Sequence, residues 1–433
     1  MIWSFWSFPI HQRITIERKF KFNKMAFLYN IFINLLIFGM KIFSLFNDKA
    51  KKGIFGRKES LQKVKTTFSK SDKVIWMHAA SLGEYEQGLP VLEKLKEKLS
   101  GHKILITFFS PSGYENVIKR KTVADVICYL PFDKKSDVKE FVSEMNIDIF
   151  FTVKYDYWYN LLEELKQKNV KTYVISALFY ERQSFFTSYG KWFVKQLQKN
   201  IDWFFHQTDM SFALAKSVGL TKSSVTGDTR FDRVKQLQTQ NNNLEFIKDF
   251  IGRDKAVIFG SSWQAEEKIA EEVLQGSPYA KLILAPHDLK RIQHLKQIFP
   301  DAILYSEIRD KNENFQSRVL IIDSIGLLSR LYSYADIAVV GGGFHDAGLH
   351  NILEAATFGV PVIFGNHYRK NPEADELIFA DGGKSFETAG LAADFVMFLI
   401  NNEETLSAMS IKARAFVNEK PDSSKLIISK ILS

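Results

Sequence analysis

From about residue 72 onward, short apolar runs alternate with longer stretches in which apolar residues recur at helical spacing. The runs 74–78, 104–109, 126–130, 147–153, 173–177 and 203–206 read as buried strands, and 84–99 reads as a helix. Around 235–243 the chain turns polar (KQLQTQNNN), which reads as a linker. Alternation then restarts with runs at 256–259, 282–285, 302–305, 319–322, 337–340 and 360–364. Strands separated by helices imply parallel sheets covered on both faces. The expectation is therefore an α/β chain of two tandem Rossmann-like, doubly wound domains, 49–236 and 237–433, with a ligand cleft between them.

The segment ahead of this pattern is different. Residues 26–46 (AFLYNIFINLLIFGMKIFSLF) are almost continuously apolar, close to the roughly 20 residues that a membrane span needs. Asn30, Asn34 and Lys41 interrupt the run, and Lys49, Lys51, Lys52, Arg57 and Lys58 follow it. No small-residue cleavage site follows, so the pattern is not that of a cleaved signal peptide. A positive flank belongs on the cytoplasmic side. We expect residues 1–48 to form an extension and a membrane-anchor helix, spanning the bilayer or lying in its interface. An amphipathic helix packed on the protein is the competing reading. Residues 1–24 are rich in Trp and Phe before turning basic, and Met25 is a second possible start.

Composition sharpens this only in part. The 433 residues are long enough for two or three domains with large cores. The formal net charge of +9 favours an anionic partner: nucleic acid, an acidic membrane surface or a phosphorylated substrate. The single cysteine, Cys128, excludes an internal disulfide, and its apolar setting suits a buried thiol.

The most informative stretch is 336–365, DIAVVGGGFHDAGLHNILEAATFGVPVIFG. An apolar run ends in Gly341, Gly342 and Gly343. His350 and Asn351 then open a helical segment that carries Glu354, and Gly359 closes it. Glycines allow a backbone to approach a ligand, and a helix N-terminus favours a phosphate. A carboxylate in that helix can hold sugar hydroxyls, so the pattern suggests a nucleotide-sugar site. Ser261 and Ser262 after run 256–259 suit a phosphate or simple capping. In the first half, Ser81-Leu82-Gly83-Glu84 follows the first strand. Gly83 permits a tight turn, and Glu84 at the helix start suits a general base kept ionised by the helix dipole, or a plain helix-terminal carboxylate. Ser110 and Ser112 follow the second strand and fit capping or a phosphate. Lys154 and Asp156, among aromatics, suit a sugar- or lipid-bearing acceptor or a structural cluster.

Absences narrow the chemistry. The first strand–helix turn is not G-x-G-x-x-G, and there is no P-loop, no D-x-D and no zinc-type spacing. No metal cofactor is expected. A leaving phosphate would then be held by glycine N–H groups, helix dipoles and cations.

Taken together, these segments resemble the 3-deoxy-D-manno-octulosonic acid (Kdo) transferases, from about Met25 to the C-terminus. WMHAASLGEYEQGLPVLEKL resembles the family's W-x-H-A-x-S-x-G-E, ITFFSPSGYE its T-x-T-x-T-G and YLPFD its Y-L-P-x-D. DYWYNLL resembles E-L-W-P-N-L, with Asp156 for Glu and Tyr159 for Pro, and Lys154 stands where E-T-E-L-W begins with an acid. ALFYERQSF resembles S-E-R-S at Glu181-Arg182, and TGDTRFD resembles G-N-x-K-F-D. GSSWQAEE resembles A-S-T-H-x-G-E-E, and HNILEAATFGVPV resembles H-N-P-L-E-P-A-A-F-G-x-P-V. Where the family has P-R-H-P-E-R, this chain has Pro286-His287-Asp288 and lacks the Arg.

The resemblance implies a GT-B glycosyltransferase that transfers Kdo with inversion from CMP-Kdo to a lipid A precursor, a bisphosphorylated acylated disaccharide, on the cytoplasmic face of a bacterial inner membrane. It implies Glu84 as catalytic base. Donor binding would fall to Ser261, Ser262, His287, Gly341, Gly342, Gly343, His350, Asn351 and Glu354. Acceptor binding would fall to Ser81, Gly83, Ser110, Ser112, Lys154, Asp156 and Arg182. It implies neither a metal nor a nucleic-acid partner. The competing functions are a membrane-associated transferase using a UDP-sugar, a nucleotide-sugar epimerase and a non-catalytic membrane-bound binding protein.

Overall fold

The structure, a computed structural model, describes residues 10–187, 190–308, 316–346 and 348–433, with side chains from Lys24 onward. The Trp- and Phe-rich residues 1–9 lie outside the described residues. Two compact units emerge: residues 1–232 with 422–433, and residues 233–421.

The first unit is built on a seven-stranded, all-parallel sheet. Its strands are β1 (Lys73–Ala79), β2 (Lys103–Phe108), β3 (Val126–Tyr129), β4 (Asn146–Val153), β5 (Lys171–Ala177), β6 (Trp203–His206) and β7 (Ser223–Val225), in the order β3-β2-β1-β4-β5-β6-β7. β1 is buried along nearly its whole length because both faces are covered. Trp76 points into one core with Phe141 and Phe150, and its neighbours Ile75 and Met77 point into the other with Leu92 and Ile106.

The second unit repeats the plan. β8 (Lys255–Ser262), β9 (Ala280–Pro286), β10 (Ile303–Leu304), β11 (Val319–Ile321), β12 (Ile337–Val340), β13 (Val362–Gly365) and β14 (Gly383–Phe386) are all parallel, in the order β10-β11-β9-β8-β12-β13-β14. Each sheet has a reversal of strand order beside its first strand, at β1/β4 and at β8/β12, and in the second sheet β11 also inserts between β9 and β10. Ligands of doubly wound sheets sit at the carboxyl ends of the strands at such points.

Three expectations change. β7 (SSV) and β14 (GKSF) are edge strands that apolar patterning does not register, because hydrogen bonding to one neighbour, not burial, defines them. Residues 235–243 are not a loose linker: the helix Thr229–Leu237 runs into them, and Gln238 donates to the Thr357 hydroxyl at 3.1 Å. The C-terminal segment expected in the second domain belongs to the first unit. The helix Ser423–Ile431 buries Ile427, Ile428 and Ile431 in the core with Val91 and Leu95, and Lys94 pairs with Asp422 at 2.8 Å.

Residues 24–48 pack with the first unit. Helix α1 (Ile10–Phe43) is followed by helix α2 (Asp48–Thr67), and both belong to the first unit. The stretch Lys24–Phe43 is long and apolar enough to cross a membrane. Cys128 is buried, and burial pushes its thiol up to about 12, as a structural cysteine requires.

Candidate functional site: an ionisable cluster and a glycine cradle

At the β1/β4 reversal of the first unit the loop after β1 enters helix α3 (Leu82–Lys98). Ser81 is its N-cap, and Glu84 is its third residue. The Ala80 and Ser81 N–H groups donate to Glu84 Oε2 at 2.5 and 3.1 Å. This is the carboxylate half of a capping box. The dipole does not dominate its protonation as expected. Burial pushes the carboxyl up, and so does the Asp156 charge, while Lys154, the Ala80 N–H and His78 pull it down. The net shift is upward, which makes Glu84 a stronger base than an ordinary carboxylate. Gly83 is not needed for a tight turn: it lies within the helix, is exposed, and a Cβ there would meet nothing within 4 Å.

His78 at the end of β1, quoted in the motif but not singled out, completes this cluster. It is fully buried, and its Nε2 lies 2.5 Å from Asp156 Oδ2. Thr107 Oγ1 accepts from Trp76 Nε1 at 2.8 Å and lies 2.9 Å from His78 Nδ1. His78 Nδ1 also lies 3.1 Å from the Thr107 carbonyl oxygen, so the ring is held at both nitrogens. Lys154 follows β4 with φ of 62°, a left-handed conformation stabilised by its N–H bond to Ile175 O and by Tyr157 Oη donating to its carbonyl. The Ser110 N–H bonds Ala80 O at 2.9 Å, which brings the end of β2 against the Glu84 loop. Ser110 Oγ and Ser112 Oγ bond each other at 2.8 Å. Gly113 has a packing reason: a Cβ would lie 2.6 Å from Phe108. Arg182 sits in the exposed turn after β5, and no bond joins it to Glu84.

The β8/β12 reversal of the second unit is built from backbone and aromatic rings. Gly341 N–H bonds Gly260 O, and an added Cβ at Gly341 would lie 2.0 Å from Ser261 O. Gly342 has φ of +89°, and a Cβ there would lie 2.3 Å from Gly348 O. Its N–H donates at 3.2 Å to Glu266, a buried carboxylate in the helix Gln264–Gly276. Gly343 would bring a Cβ to 2.7 Å from the Gly365 nitrogen. Ser261 is itself left-handed, with φ of 51°. Ser262 is buried, and its carbonyl accepts from His287 N–H at 3.0 Å.

His287 stacks on Trp263 with ring centroids 4.5 Å apart and meets His350 at 4.7 Å. Burial, then the neighbouring His287 and His345, lower His350 to about 4, so it is neutral at physiological pH. His350 and Asn351 do not open a helix as expected. They lie in the loop before a four-residue helix, Leu353–Ala356, whose first turn holds Glu354. Asn351 Oδ1 accepts from Leu353 N–H, and its Nδ2 donates to Glu354 Oε1 at 3.0 Å. Gly359, at φ of +76°, lies in the turn before β13.

A cavity of about 490 Å³ adjoins this loop, lined by Asp346, Gly348, Asn366, His367, Arg369 and Lys370. Arg369 and Lys370 carried no motif signal. Arg291, the nearest Arg after Pro286 in sequence, is committed to Glu267, to which its Nε donates at 2.7 Å. Among the described residues no group of three or more His, Cys, Asp or Glu is arranged to hold a metal.

The family profile 3-Deoxy-D-manno-octulosonic-acid transferase (kdotransferase) matches residues 54–233, which carry β1 to β7 and the Glu84 cluster. A 3-deoxy-D-manno-octulosonic acid transferase of Chlamydia pneumoniae is 28% identical over 365 residues, covering 79% of this chain and 81% of that protein. The chain is similar to Kdo transferases over most of its length. A Fusobacterium nucleatum bifunctional glycosyltransferase/methyltransferase is 28% identical over 308 residues, 69% of this chain, which spans about half (48%) of that longer relative. Among solved structures, the UDP-GlcNAc 2-epimerase of Neisseria meningitidis superposes with a TM-score of 0.58 at 16% identity, covering 83% of this chain and 99% of that one. At that identity the likeness speaks for the fold alone, the GT-B architecture of two Rossmann-like units.

Proposed function

We propose that this chain is a Kdo transferase, moving Kdo from CMP-Kdo to a lipid A precursor at the cytoplasmic face of the inner membrane. The observation that carries this reading is the half-buried Glu84 at the start of α3, with its pKa raised, beside His78, Asp156 and Lys154. Glu84 takes the proton of the acceptor hydroxyl as that oxygen attacks the anomeric carbon from the face opposite the phosphate. Inversion follows, with CMP as leaving group. His78 holds Asp156, whose charge keeps Glu84 basic, and Lys154 offers a cation to the phosphorylated acceptor. The second unit takes the donor. Gly341 to Gly343 and Ser261 let the backbone approach the phosphate closely, the rings of His287 and His350 provide a face for it, and Asn351 with Glu354 meets sugar hydroxyls. Arg369 and Lys370 supply the cations that the missing family Arg would have supplied, opposite the donor's phosphate or carboxylate. A monophosphate leaving group requires less charge neutralisation than a diphosphate, consistent with a chain that has no D-x-D. The apolar α1 supports a place at the membrane.

The test is incubation of membranes bearing the protein with CMP-Kdo and a tetraacylated lipid A precursor, followed by mass spectrometry of the lipid. Expected is a product heavier by one or more Kdo residues. Transfer from a UDP-sugar and none from CMP-Kdo would overturn the donor assignment.

A further inference from the structure

The glycines after β12 are held one by one. Gly341 N–H donates to Gly260 O at 2.9 Å, and the Gly341 carbonyl accepts from His350 N–H at 3.0 Å. The Gly343 carbonyl accepts from His367 N–H at 2.8 Å. Gly342, between them, is left-handed and closely packed: an added Cβ would lie 2.3 Å from Gly348 O and 3.1 Å from the His350 ring. Its N–H is taken by Glu266. Of these glycine N–H groups, only that of Gly343 has no partner among the described residues.

Glu266 stands in the first turn of the helix Gln264–Gly276 and is 0% exposed. Its Oε2 accepts the Trp263 N–H at 2.8 Å, as a helix-terminal carboxylate does. Its Oε1 accepts the Gly342 N–H at 3.2 Å, from a loop 76 residues further on. Capping explains the first bond and not the second. Charge pairing explains neither. The adjacent Glu267 is matched by Arg291, whereas Glu266 has no cation among its partners. Burial pushes its carboxyl up, the N–H groups of Trp263 and Gly342 pull it down, and the Glu267 charge adds to the rise. A buried carboxylate without a cation is costly, and beside an anion site it also repels the ligand. Its bonds to the loop are what offset that cost. Ser262 Oγ and Trp263 Nε1, at the start of the same helix, are buried and have no partner among the described residues, as expected where a ligand completes the bonding.

We infer that Glu266 is a positioning residue for the donor: its carboxylate holds the Gly342 N–H and so fixes the turn that leaves the Gly343 N–H for the donor's phosphate. The same carboxylate ties that turn to Trp263, on whose ring His287 stacks at 4.5 Å. The backbone and the aromatic face of the donor site are thereby set by one buried side chain that does not touch the ligand. This inference rests on the donor reading proposed above.

Calorimetric titration of CMP into the full-length parent, Glu266→Gln and Glu266→Asp tests it. Gln is isosteric and neutral, and it offers one acceptor oxygen to two N–H groups. Asp keeps the charge and can still cap Trp263, but it is a methylene too short for Gly342. Both variants should bind CMP about ten- to a hundredfold more weakly, the effect of losing a hydrogen bond to a charged group. In turnover, KM for CMP-Kdo should rise by a similar factor while KM for the lipid acceptor stays within about twofold, a split that general loss of structure would not give. Tighter CMP binding by Glu266→Gln would overturn the inference, because Glu266 would then act on the ligand only by repulsion. Parent-like CMP binding by Glu266→Asp would also overturn it and reduce the carboxylate to a cap. A rise in both KM values together with a lowered melting temperature would make the residue structural and sink the positioning role. Failure of the parent to bind CMP would overturn the donor reading, and this inference with it.

Discussion

The two sheets each have seven parallel strands and a reversal beside their first strand, at β1/β4 and at β8/β12, yet the groups they gather there are unlike. The first unit collects ionisable side chains: Glu84, His78, Asp156 and Lys154, coupled by charge and by a 2.5 Å His–Asp contact. The second gathers backbone and aromatic rings: Gly341 to Gly343 packed too closely for a Cβ, and Trp263 stacked on His287, which meets His350. One architecture thus serves a site that moves a proton and a site that holds an anion. The difference lies in which residues occupy the strand ends, in keeping with function residing in sites rather than folds.

The sharpest way to break this contrast is Glu84→Gln. It should lower kcat by roughly 10²–10⁴-fold, the range for loss of a general base. Donor affinity, measured by CMP-Kdo titration, should stay nearly unchanged. A rise in donor KM with kcat preserved would mean that the two sites have been exchanged. Next in size is Gly341→Ala. A Cβ 2.0 Å from Ser261 O cannot be accommodated without backbone movement. Overpacking of this kind costs about 1–3 kcal/mol. CMP affinity should fall about ten- to a hundredfold by calorimetry, while vesicle binding, which belongs to the first unit, is unaffected. Glu354→Gln should be milder. Loss of a hydroxyl contact worth about 0.5–1.5 kcal/mol raises the KM for CMP-Kdo roughly two- to tenfold and leaves kcat near wild type.

The pH dependence should separate the sites as well. Glu84 must be ionised to act, and burial has raised it, so the acid limb of kcat should lie above the ordinary carboxylate range and vanish in Glu84→Gln. His350 moves the other way. Its folded value of about 4 is below the unfolded one of roughly 6.5, so the folded chain holds fewer protons between them. Its contribution to stability is complete above pH ~6.5 and is lost as pH falls toward 4. Thermal melts across that window should show a smaller acid loss for His350→Asn. The smallest expected effect is none: activity should survive EDTA, and loss restored by Mg²⁺ would require a metal site that neither cluster provides.

Much of this was legible in the chain. Twelve of the strands were visible as apolar runs, because strands buried on both faces must be apolar throughout. Glu84, the glycine run and Asn351–Glu354 were visible because turns and close approaches restrict residue type locally. Arg369 and Lys370 were not, since a cation on a loop has no periodicity, and only the fold brings them beside Gly348. Nor was His78, whose significance depends on Asp156 arriving from β4, 78 residues later.

By itself, then, the sequence determined the alternation, the two sheets, the family resemblance and the local chemistry of each strand end. Those properties follow from neighbours along the chain. Tertiary structure decided what depends on distant partners. It raised Glu84 by burial, and it started the helix after His350 only at Leu353 and ended it after four residues. It returned Ser423–Ile431 to the first unit, where three isoleucines find α3. It also turned an apolar run that reads as a span into a helix with one face bound. Hydropathy counts residues, whereas the bond from Tyr29 to Asp133 joins positions 104 apart.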